Sequence, residues 1–131
     1  MTIHDLRQTF AGAEWPHFLE QSVIPNGYAL MLDIHADIHW FDGHFPQQPV
    51  LAGIVQTHWA IELGKFLFPL GDKFVRIDNL KFQTVVLPGQ KLTLLLEHLP
   101  DSGVLKFRYV HDDLSFSEGK CVFELTSGNT E

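Results

Sequence analysis

At 131 residues with 45% hydrophobic side chains, the chain carries enough apolar material for one domain with a core and is too short for two ordinary ones. Its formal charge of -7 argues against general nucleic-acid binding, which needs a basic face to displace phosphate counterions. A single cysteine, Cys121, excludes an intrachain disulfide; with no charged apolar leader and no run as long as a membrane span, a reducing cytoplasm is the expected setting.

Residues 1–26 mix Leu6, Phe10, Trp15, Phe18 and Val23 with polar positions and run into Pro25-Asn26-Gly27, which predicts a short helix and a turn packed over the main body. From Tyr28 to Trp40, Leu30, Leu32, Ile34, Ala36 and Ile38 alternate with Asp33, His35, Asp37 and His39, the period of a half-buried strand. Leu51 to Leu67 is the one long helical candidate, apolar on most sides through Ile54, Val55, Trp59, Ala60, Ile61, Leu63 and Phe66 and closed by Pro69-Leu70-Gly71. A helix so apolar must be wrapped by other structure. The wrapper is supplied by strands predicted over Phe74–Val86, Lys91–Leu99, Val104–His111 and Leu114–Leu125, separated by Pro88-Gly89, by Pro100 to Gly103 and by Asp112-Asp113. Cys121, in the apolar run to Leu125, suits a buried strand position better than a nucleophile. Residues 127–131 read as a frayed tail.

The segment Phe41 to Gly53 sets a histidine, His44, in a Gly/Pro-shaped turn directly before the helix. Gly43 permits backbone angles that a side chain forbids, Pro46 and Pro49 hold the turn extended, and Gly53 leaves the first helical amides open to a carbonyl oxygen or an anion. Gly43-His44-Phe45-Pro46, then Pro49-Val50, then Gly53 resemble the active-site signature of the hotdog-fold 3-hydroxyacyl-(acyl carrier protein) dehydratases. Arg76-Ile77-Asp78-Asn79-Leu80-Lys81-Phe82, followed by Val86-Leu87-Pro88-Gly89 and Leu92-Thr93-Leu94, is similar to that family's central strands and Pro-Gly hairpin. The resemblance covers residues 28–126. It implies one α+β domain over residues 1–131, with an antiparallel sheet wrapped around one long central helix. It also implies a homodimer or larger homo-oligomer, an acyl thioester substrate borne by an acyl carrier protein, and no cofactor, metal, nucleic acid or membrane span. The implied reaction is dehydration of 3-hydroxyacyl thioesters in fatty-acid or specialised polyene-type biosynthesis.

In those dehydratases the motif histidine works with an acidic residue fourteen positions later on the central helix. Here that count from His44 lands on His58, Ala52 replaces the family's proline before Gly53, and Glu62 stands one turn on, where the family commonly has glutamine. Elimination of water needs a base beside the thioester carbonyl, a donor for the enolate oxygen and an acid for the departing hydroxyl. The candidates are His44 as base, the Gly53 amide at the positive end of the helix as donor and, where the resemblance calls for an acid this chain lacks, His58 held in the working tautomer by Glu62 at i+4. Phe45 and Phe82 are the implied walls of an acyl tunnel, although these aromatics, with Trp40, Phe41, Phe68 and Phe74, also read as core. The alternative for His58 is a hydrogen-bonded core residue, and Glu62 taken alone reads as a solvated helix position. A hotdog thioesterase with Glu62 activating water, and a non-catalytic acyl-chain or acyl-carrier binding module, are the rival functions. His35 and His39 share a strand face near His44, an arrangement better explained by solvent or a dimer edge than by zinc. Phosphate-binding glycine loops and the Gly-x-Ser-x-Gly nucleophile motif do not occur. Docking an acidic carrier needs a local basic patch, for which Lys65, Lys73, Arg76, Lys81, Lys91, Lys106 and Arg108 are candidates.

Overall fold

The computed structural model of the chain describes residues 2–41 and 49–125. A short helix, α1 (Ile3–Thr9), is closed at its start by a capping box between Thr2 and Asp5. Strands β1 (His17–Ile24) and β2 (Gly27–Asp33) follow as a hairpin, then a 3-10 turn at His39–Phe41 and the central helix α2 (Gly53–Leu67). Four more strands complete the chain: β3 (Phe74–Phe82), β4 (Lys91–Leu99), β5 (Val104–His111) and β6 (Leu114–Phe123). All six strands form one antiparallel sheet in the order β1-β2-β4-β5-β6-β3, and α2 packs on β4, β5 and β6. This is the expected hotdog arrangement.

Two expectations need correction. The segment before residue 27 contains a full strand, β1, besides the short helix; its only buried side chain is Phe18, so as an edge strand it lacks the alternation that marks β2. The strand expected to run to Trp40 ends at Asp33. Ile34 and Ile38 are still buried, but the chain between them turns, with the Ile38 amide donating to the His35 carbonyl at 3.2 Å. Period-two reasoning therefore does not put His35 and His39 on one face. His35 instead stacks on His17 with ring centroids 3.9 Å apart.

Register explains how the helix is seated. Leu30 pairs with Leu94, Leu94 with Tyr109 and Tyr109 with Ser117, so one row across the inner face begins apolar and ends in two hydroxyls. Both reach Gln56 on α2: Tyr109 Oη donates to the Gln56 carbonyl at 2.7 Å and Ser117 Oγ to Gln56 Oε1 at 2.6 Å. Gln56 Nε2 donates in turn to the Leu51 carbonyl at 3.0 Å, tying the helix to the segment that enters it. Burial raises the Tyr109 phenol well above its ordinary value, with a smaller push from Cys121, so this hydroxyl stays a donor. About two turns further on, Gly64 lies so close to the Leu105 side chain that a Cβ there would collide with it. Sequence reading passed over Gln56, whose signal is a polar residue inside an otherwise apolar helix.

Gln56→Ala removes partners from the buried Ser117 hydroxyl and from the Leu51 carbonyl. The expected loss is about 2–3 kcal/mol of stability in urea unfolding, because the buried groups left behind keep their desolvation cost. A loss no larger than that of an exposed helix substitution would show that the node carries no weight.

Candidate active site

The first amides of α2 open toward a cleft of about 470 Å³ whose walls include Val50, Gly53, Ile54, Gln56, Phe82 and Thr84. Ala52 caps the helix without a side-chain bond, and its carbonyl accepts from the Val55 and Gln56 amides at 3.0 and 3.2 Å. The amides of Gly53 and Ile54 are thereby left as the donors at the positive end of the helix. Leu51 anchors the entry through its amide, which donates to the Val86 carbonyl at 2.8 Å. The Phe82 ring lies over Gly53: a Cβ at residue 53 would sit 2.6 Å from its Cε1 and Cζ. Gly53 thus lets an aromatic side chain approach the helix start closely, and Phe82, expected in part as core, is 52% exposed at the mouth of the cleft. Phe74 is likewise exposed, whereas Phe41 is buried and Trp40 and Phe68 are half-buried.

His58 is exposed and is not a core residue. The buried face of α2 carries Val55, Trp59, Ala60, Leu63 and Leu67, and the opposite stripe carries Ile54, His58, Ile61 and Lys65 at helical spacing. Ile54 is 79% exposed, whereas Ile61 on the other side of the histidine is half-buried against the core. The His58 imidazole stacks on Trp15, centroids 5.8 Å apart and planes 28° from parallel. Glu62 pairs with Lys65 at 3.4 Å, and among the described residues no ion pair joins it to His58. His44 and Phe45 lie outside the described residues.

The remaining candidates separate clearly. Cys121 is fully buried in β6 and burial pushes its thiol up to about 11, which leaves it protonated and unreactive at neutral pH. Among the proposed docking cations, Arg76 pairs with Asp78, Lys106 with Glu97 and Arg108 with Glu118, all on exposed surface, and Lys65 with Glu62 as above. Among the described residues, Lys73, Lys81 and Lys91 have no such partner.

Residues 20–120 match the family model ApeI-like, described as ApeI dehydratase. The chain is 37% identical over 79 residues to the 3-hydroxyacyl-(acyl-carrier-protein) dehydratase FabZ of Sorangium cellulosum, covering 53% of this chain and 51% of that protein. It is 31% identical over 93 residues to the FabZ of Helicobacter hepaticus, covering 60% and 55%. The chain thus spans about half the length of these curated relatives. Among solved structures it resembles the dehydratase heterocomplex ApeI:P from Xenorhabdus doucetiae, with a TM-score of 0.75 and 30% identity over 82% of this chain and 96% of that one. An uncharacterised protein from Erwinia carotovora subsp. atroseptica aligns with a TM-score of 0.69 and 31% identity over 82% and 91%.

If the Phe82 ring rests on Gly53, a double-mutant cycle of Gly53→Ala and Phe82→Ala followed by urea unfolding should give a coupling of about 0.5–2 kcal/mol. The added methyl is costly with the ring present and tolerated once it is gone. Additive effects would mean that the ring does not form the wall of the cleft.

Proposed function

Because the chain belongs to the ApeI-like dehydratase family, we propose that it removes water from 3-hydroxyacyl thioesters, giving enoyl thioesters for fatty-acid or polyene-type biosynthesis in the cytoplasm. The observation that carries this reading is the placement of His58. The position where the family resemblance calls for an acid is turned outward on an apolar stripe, one turn beyond Ile54 at the wall of the cleft.

In the proposed reaction the thioester carbonyl oxygen is received by the Gly53 amide, where the partial positive charge of the helix end stabilises an enolate. His44 takes the proton from the carbon beside that carbonyl. As the enolate collapses, the bond to the 3-hydroxyl breaks and protonated His58 gives its proton to the departing oxygen, which leaves as water. Phe82, with Phe45, walls the acyl chain. Glu62 acts on His58 through its charge one helical turn away, since its direct partner within the chain is Lys65.

A second subunit completes this site. The His58 stripe is apolar and open, and the edge strand β3 exposes Phe74, Val75, Leu80 and Phe82 along an unpaired side of the sheet. A homodimer or larger homo-oligomer covers both features. The dehydratase of Xenorhabdus doucetiae is a heterocomplex, so a related second chain is the alternative occupant. Lys73, Lys81 and Lys91 are the proposed contacts for an acidic acyl carrier protein.

Incubation with 3-hydroxyacyl and enoyl thioesters, with mass analysis of both the acyl and the thiol products, tests the reaction. The expected result is interconversion of the two by one water with the thioester intact, slowed roughly 10²- to 10⁴-fold in kcat by His58→Ala. Release of free thiol would identify a thioesterase, and tight binding without turnover an acyl-binding module.

A further inference from the structure

Three consecutive carbonyls in the loop between α1 and β1 are each held by the segment after β2, the middle one by α2 as well. Ala13 O accepts from the His39 amide at 2.6 Å. Glu14 O accepts from two indoles, Trp40 Nε1 at 3.0 Å and Trp59 Nε1 at 2.9 Å, which uses both of its lone pairs. Trp15 O accepts from His35 Nε2 at 3.1 Å. The Trp15 ring is gripped as well, edge-on by Phe10 at 4.7 Å and against Trp59 at 6.5 Å. What this anchored ring presents on its outer side is a stacking surface for His58. Residues 13–15 precede the stretch that matches the family model, so the family likeness does not account for them.

An exposed helix histidine ordinarily samples several rotamers, and ordering it costs side-chain entropy. Here a ring fixed by contacts from Phe10, from α2 and from the segment after β2 offers the imidazole one face to stack on. We propose that Trp15 is a positioning residue that fixes the orientation of His58 for proton delivery, with the loop over residues 13–15 as its rigid mount. The assignment rests on the reading of His58 as the acid. It concerns geometry: misplacement of an acid by about an ångström is enough to cost on the order of 10²-fold in rate without altering substrate binding.

The stack has a signature independent of activity, because the face of an indole shifts the ring protons of a stacked imidazole upfield. In the full-length protein the His58 ring proton resonances, assigned by their loss in His58→Ala, should lie upfield of those of the exposed His4. They should return toward the His4 position in Trp15→Leu. The same variant should lower kcat for 3-hydroxyacyl thioesters at least 10-fold with KM within about twofold, and Trp15→Phe should recover most of the loss because it restores an aromatic face. An unshifted His58 in the parent protein overturns the proposal without any Trp15 variant, which covers the case in which Trp15→Leu fails to fold. Full kcat in Trp15→Leu alongside a dead His58→Ala overturns the positioning role alone. Full turnover in His58→Ala overturns the acid assignment, and the positioning role with it.

Discussion

Gln56 joins parts of the molecule that would otherwise meet only through non-directional apolar contact. Its side chain and carbonyl link α2 to β5, to β6 and to the entry segment, through Tyr109, Ser117 and Leu51. Apolar burial sets which face of the helix is inward but allows it to slide or rotate by small amounts; hydrogen bonds among buried groups do not. The depth of Gly53 in its cleft and the outward aim of His58 both follow from that fixed seat. A site at the start of a helix needs such a bolt, because the positive helix end is useful only where the first amides are aimed at a defined point.

The same seat explains why the stripe that carries His58 faces away from the sheet. With Val55, Trp59 and Leu63 committed to the sheet, helical geometry sends Ile54 and His58 outward, where Ile54 is exposed and His58 meets only the Trp15 ring among the aromatic side chains of the described residues. The molecule thus separates its tasks by face. One side of α2 supplies stability, the end offers the proposed carbonyl site, and the outer stripe carries the proposed acid and the proposed surface for a second subunit. The loop before β1 adds control over that outer stripe from within the chain.

The fold was legible where patterning and burial agree. β4 and β5 alternate cleanly, and α2 was recognisable from its length, its apolar content and its closing proline, starting two residues later than expected. β1 was hidden because an edge strand with only Phe18 buried needs no alternation, and the overlong reading of β2 arose because Ile34 and Ile38 stay buried after the backbone leaves the sheet. For the site, the motif carried the place of Gly53 and Phe82, which the structure brings into contact. It did not carry the pairing of Glu62 with Lys65, since i+3 and i+4 partners compete on equal terms in a sequence. Nor did it reveal Trp15 beside His58 or Gln56 beneath the site, because contacts across 43 and 61 residues of chain leave no local pattern.

The central claim is that the working site is built from two chains, His44 from one and His58 from the other. The most direct measurement is complementation: inactive His44→Ala and His58→Ala proteins are mixed, dissociated and allowed to reassociate, and dehydration of a 3-hydroxyacyl thioester is followed. Random pairing in a homodimer makes half of the dimers mixed, each with one intact site, so about a quarter of the parental turnover should return. Turnover that stays at the level of the separate variants after full exchange would place both histidines of a site in one chain and contradict the account.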